Sequence, residues 1–167
     1  MITYQSDLIN NSFYIIKNSC ELIVPKSEID PRSTFLSYPI DIDYSIKERK
    51  GEKTFRILMD ISINYPGKLP GYSIYIESMG DFSINNEKKK SIKEREHLIN
   101  YIAVERCIEY CRGVIAYITS QYPLGKYFIA GINMEALYLS KLEQQKKINT
   151  SESKIQTTQQ NKEEKDI

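Results

Sequence analysis

The sequence predicts an α+β domain: a four-stranded antiparallel sheet, then a long helix and a second C-terminal helix packed on one side of it. Three observations carry this reading. Two long stretches, residues 38–46 and 55–65, alternate apolar with polar residues, the mark of antiparallel strands with a single covered face. Residues 98–118 instead repeat apolar side chains mostly at three- and four-residue steps, which builds a helix face. Strands come first and helices last, so the helices belong on one side of the sheet.

Residues 1–12 are polar and weakly patterned and read as a flexible N-terminal arm. The first strand joins residues 13–16 with 20–24, and Pro25, which lacks an amide donor, closes it. Asp30-Pro31 is a turn signal in the loop that follows. In the second strand Tyr38, Ile40, Ile42, Tyr44 and Ile46 share the apolar face; in the third, Phe55, Ile57, Met59, Ile61, Ile63 and Tyr65 do. Lys50-Gly51 makes the hairpin between them. Pro66-Gly67 and Pro70-Gly71 mark the next turn, and residues 72–84 form a fourth strand with Tyr72, Ile74 and Ile76 on one face and Gly80 at a bulge. The long helix starts between Ser91 and His97 and ends near Gln121, before Pro123. Asn133 caps the second helix, whose apolar side is Met134, Leu137, Tyr138 and Leu142. The folded domain thus spans residues 13–148, and the aperiodic tail, 149–167, contains no aromatic residue and reads as disordered.

A chain of 167 residues forms one domain that buries a core without disulfides. Its 23 basic and 22 acidic residues are well mixed, and a net charge of +1 gives no electrostatic case for nucleic acid or an acidic membrane surface. No apolar run approaches the ~18 residues of a membrane helix. Three cysteines, Cys20, Cys107 and Cys111, without a signal-peptide core point to a reducing, cytoplasmic location. Thirteen tyrosines and no tryptophan fit either half-exposed contact surfaces or a strand-rich fold.

Catalytic and metal-binding constellations do not emerge. The single histidine, His97, lies in a charged stretch; Cys107 and Cys111 supply only two thiols, too few to close a zinc site. Glu105 and Glu109 share a helix face with no histidine near them, and the seven glycines are scattered singly, so no phosphate-binding loop forms. The reading is a non-enzyme without cofactor or metal. What stands out is apolar surface. The loop after the long helix carries Leu124, Tyr127, Phe128 and Ile129, which either fold back as a lid or wall a groove for extended hydrophobic peptide. Three of these are consecutive, so at least one is expected to face outward. The long helix is apolar well beyond one stripe and has more than one surface to bury. Ile108, Cys111, Ile115 and Ile118 are assigned to an oligomer interface as well as to core packing.

Tyr110-x-Arg112, Thr119-x-Gln121, Leu124 and Ile132-Asn133 at the head of the last helix resemble the carboxy-terminal signature of SecB-type protein-export chaperones. The resemblance runs over about residues 13–140. It departs at Glu109, where the family commonly has Pro, and at Ala130-Gly131, where it has a Pro-Pro-like pair. The resemblance implies a SecB-like fold and an ATP-independent holdase for unfolded client polypeptides, assembled as a homotetramer, a dimer of dimers through sheet edges and the first helix. It also implies the SecA translocation motor as a partner in export, which near-neutral charge argues against, or a dedicated client such as an antitoxin. A module binding one fixed partner through its apolar loop is the alternative.

Overall fold

The computed structural model describes residues 6–48, 54–144 and 146. The Lys50-Gly51 turn, the first five residues of the arm and the tail from 149 onward lie outside them. The chain divides into two compact units, Met1–Gly131 and Ile132–Ile167.

The first unit is built on four antiparallel strands, β1 (Leu8–Ile23), β2 (Ile40–Glu48), β3 (Thr54–Ile63) and β4 (Gly71–Ile84), in the order β1-β4-β3-β2. The alternation seen in the sequence sets the two faces. Phe55, Ile57, Met59, Ile61 and Ile63 of β3 are buried, beside Tyr72, Ile74, Ile76 and Phe82 of β4. The opposite face is open and carries Arg56, Asp60, Glu77 and Asp81, with Arg56 and Asp81 paired at 2.7 Å. Ile9, Tyr14 and Ile16 of β1 are exposed apolar residues. A short helix, α1 (Pro31–Leu36), lies between β1 and β2.

The covered face is roofed by one continuous helical run, α2 (Ile92–His97), a wide π-type turn (Leu98–Ala103) and α3 (Val104–Thr119). Ser91 caps α2 in a reciprocal box with Glu94. α2 buries none of its side chains; Arg95 ties it to Glu87 at 2.7 Å and to Glu48 at 2.8 Å. α3 buries Val104, Cys107, Ile108, Cys111, Ile115 and Thr119, a 3.6-period stripe turned to the sheet.

β1 starts five residues earlier than the sequence indicates. Leu8 pairs with Ile84 and is buried, so part of the presumed arm is strand. Asn10 and Asn11 mask this in the sequence, because they interrupt the apolar pattern. Asn10 donates to the Tyr110 hydroxyl at 2.7 Å, and Asn11 lies where the register shifts between Asn10 and Ser12. A second shift falls between Ile15 and Lys17. The irregularities therefore sit in β1 and not at Gly80. Gly80 has a packing role instead: a Cβ there would stand 2.7 Å from the Phe82 ring and 3.0 Å from Cys107 Sγ, so glycine lets α3 settle onto β4. Gly80→Ala is expected to destabilise the protein by about 1–3 kcal/mol through overpacking, read as a lower urea midpoint. An unchanged midpoint would mean that α3 and Phe82 move aside freely.

In the second unit, a helix over residues 134–144 is capped as its sequence predicts, the Ala136 amide donating to Asn133 Oδ1 at 3.0 Å.

Candidate functional site

The site grows from α1. Asp30 caps this helix, accepting from the amides of Arg32 and Ser33 at 3.3 and 3.1 Å, and Pro31 takes the first helical position, where its missing N–H costs nothing. Asp30-Pro31 is thus a helix start, not the turn its dipeptide indicates. The Ser33 amide holds the Asp30 carboxyl below its ordinary pKa. The helix delivers Phe35 and, just beyond it, Tyr38 to the end of the sheet.

There they join an aromatic cluster. The Phe35 ring stacks on Tyr72 at 5.3 Å and meets Tyr127 edge-on at 5.4 Å, while Tyr38 lies 5.7 Å from Tyr127. Tyr122 meets Tyr72 edge-on at 5.8 Å. These separations are those of favourable ring pairs. The Tyr38 hydroxyl donates to Pro70 O at 2.9 Å and accepts from the Tyr72 amide at 2.7 Å. It can do so because position 71 is glycine, with φ +102° and no Cβ, which would fall 2.0 Å from that oxygen. Burial raises the Tyr38 phenol and pushes Tyr72 and Tyr127 up to about 12, so all three are neutral rings at physiological pH.

The loop after α3 closes over this cluster. Side chains pin its backbone at three points: Tyr72 donates to Gly125 O at 2.8 Å, the Tyr127 amide to Thr119 Oγ1 at 2.9 Å, and Arg112 Nη2 to Ala130 O at 2.8 Å. Glu109 forms an ion pair with Arg112 from the other side. The four residues predicted for peptide binding separate accordingly. Tyr127 and Ile129 point inward, 2% and 5% exposed, while Phe128 between them is 67% exposed and Leu124 is half-buried. Successive side chains of the loop thus alternate between the core and solvent. Leu36, which the sequence reading did not single out, is 84% exposed beside Phe35. Leu36 and Phe128, both exposed, are thus the chain neighbours of two rings in contact, Phe35 and Tyr127.

The four residues assigned to an oligomer interface differ in their placement within the chain. Ile108, Cys111 and Ile115 are wholly buried and Ile118 is half-buried, so the first three offer no surface to a second subunit. Cys111 Sγ reaches Ser78 Oγ of β4 at 3.4 Å, which shows where that stripe is used. The outward residues of α3 are others. Tyr117 is 69% exposed, and Tyr110 is exposed while stacking on Phe13 of β1 at 4.7 Å.

All three cysteines are free thiols, and burial pushes Cys107 up to about 12, which leaves it unreactive. Among the described residues no three His, Cys, Asp or Glu side chains converge to hold a metal, and no helix is long and apolar enough to cross a membrane.

No protein-family model matches this chain, and no curated protein matches it. Among solved structures it is similar to a SecB-like chaperone of Mycobacterium tuberculosis in complex with a ChAD peptide from an antitoxin. The TM-score is 0.50 at 11% identity, over 76% of this chain and 91% of that one. A protein of unknown function from Streptococcus agalactiae aligns with a TM-score of 0.38 at 12% identity, over 75% of this chain and 97% of that one. At such identity the likeness to the mycobacterial protein is one of architecture: the chain has the α+β fold of a SecB-like chaperone.

Proposed function

We propose that this protein is an ATP-independent holdase that binds unfolded polypeptides at the α1–loop surface. The observation that carries the reading is the exposure of Leu36 and Phe128, each next in the chain to a ring of one aromatic cluster. A contiguous exposed apolar patch marks a binding surface, and the reading takes these two side chains as parts of one. The fold adds support, because a protein of the same architecture has been solved with a bound peptide. An antitoxin-like segment or a preprotein bound for export is accordingly the kind of client considered. The mechanism is mass action: an exposed client segment buries against the site, the unfolded chain is stabilised, and its aggregation slows. Each large side chain buried contributes roughly 1.5–3 kcal/mol, so a few contacts suffice and sequence selectivity is low.

The same reading assigns assembly to two further surfaces. β1 is a long edge strand with exposed Tyr14 and Ile16, and α3 presents Tyr117 outward. Pairing of free edges and covering of such helix faces both hide surface that otherwise aggregates. A homotetramer using them would hold several sites for one client and bind with avidity.

The test is suppression of aggregation. Heated citrate synthase and reduced insulin, two unrelated clients, should both be protected at protomer concentrations near their own, with or without ATP. A module devoted to one fixed partner would protect neither.

A further inference from the structure

The aromatic cluster contains an asymmetry. Among the described residues the hydroxyls of Tyr38, Tyr72 and Tyr122 all have hydrogen-bond partners, at Pro70 O, Gly125 O and Cys20 O. The hydroxyl of Tyr127 finds no such partner among the described residues, although the side chain is only 2% exposed. Phe35 and Tyr38 touch that ring, and Tyr72 supports Phe35 from behind. Tyr127 is therefore held by shape and by its backbone, not by a polar anchor of its own. A second aromatic ring of similar size could replace it with little net change in packing.

We propose that Tyr127 is an internal occupant of the client site. In the free protein its ring fills a slot between Phe35 and Tyr38, with Tyr72 stacked on Phe35, and an aromatic side chain of the client takes the slot when the loop over residues 124–130 lifts. The identity of the competitor rests on the holdase reading, whereas the slot and its occupant rest on the geometry. The loop suits such a release. It forms no strand ladder with the sheet, and its backbone is held by the Tyr72, Thr119 and Arg112 side chains. The closed state hides the apolar slot in the absence of client, and the apparent affinity is the open-state affinity multiplied by the fraction of molecules that are open. Leu36 and Phe128 remain outside in either state and give a first contact before the exchange.

Thr119→Val tests this, because it removes the acceptor of the Tyr127 amide while keeping the shape of a buried side chain. Binding of reduced, carboxymethylated α-lactalbumin, a permanently unfolded client, should tighten by about five-fold as the closed state loses one hydrogen bond. Unchanged or weaker binding by the folded variant overturns the proposal. A second arm needs no client. Tyr127→Ala should leave an aromatic cavity, so p-cresol is expected to raise the melting temperature of this variant and not that of the parent protein. A folded Tyr127→Ala that p-cresol does not stabilise also overturns it. If the parent protein binds no α-lactalbumin, the holdase reading fails and the p-cresol result alone decides the slot; if Tyr127→Ala does not fold, Thr119→Val decides.

Discussion

Ile108→Asp is expected to abolish folding, whereas Tyr117→Asp on the same helix is expected to leave the fold intact. Ile108 is 1% exposed and sits in the stripe that α3 turns to the sheet. A carboxylate there has neither water nor a basic partner from the stripe. Lost apolar burial and charge desolvation together exceed about 4 kcal/mol, which removes much of the ~5–15 kcal/mol that stabilises a typical domain. Tyr117 lies on the outward side, so its replacement costs little within the protomer. If α3 contributes to assembly as proposed, Tyr117→Asp should lower the sedimentation coefficient while far-ultraviolet circular dichroism stays as in the parent. A folded Ile108→Asp would contradict the packing described for α3. Unchanged sedimentation for Tyr117→Asp would remove the outer face of α3 from the assembly.

The contrast between these positions bears on what the sequence could disclose. Alternation in β2, β3 and β4 made the sheet and its covered face legible, because a period of two admits one assignment once one face is apolar. The long helix was legible as a helix but not in its facing. Its apolar residues cover too wide an arc, and the π-type turn at Leu98–Ala103 shifts the phase between its two ends, so a single helical period cannot align both. Ile108, Cys111 and Ile115 looked like surplus apolar surface for that reason. β1 was read short because Asn10 and Asn11 break its pattern, and their partners, Tyr110 and Ser83, lie far along the chain. In the site, the loop's apolar content was visible and at least one outward residue followed from three in a row; Phe128 is that residue. Which residues turn inward was not visible, since it depends on Phe35 and Tyr38 arriving from α1 more than eighty residues earlier. The Asp30-Pro31 pair did carry a usable signal. An acid followed by proline is a good cap and first residue of a helix, and reading it so would have placed Phe35 and Leu36 on an ordered element.

Replacing Leu36 and Phe128 together by Ser is expected to weaken client binding by more than about ten-fold, with little effect on stability. Both side chains are mostly in solvent in the free protein, so their loss opens no cavity and exposes no buried polar group. In the complex each would otherwise bury apolar surface, and every ~1.4 kcal/mol forgone is a factor of ten in affinity. Replacing Tyr127 is not equivalent, because that ring is part of the cluster and its removal acts on packing first.

The most direct measurement is a calorimetric titration of reduced, carboxymethylated α-lactalbumin into the parent protein and into the Leu36→Ser, Phe128→Ser double variant, with melting curves recorded for both. The account predicts saturable binding by the parent, a loss of more than about ten-fold in the variant, and coincident melting curves. Equal binding by the two folded proteins, or no binding by the parent, would contradict the assignment of this surface to unfolded clients.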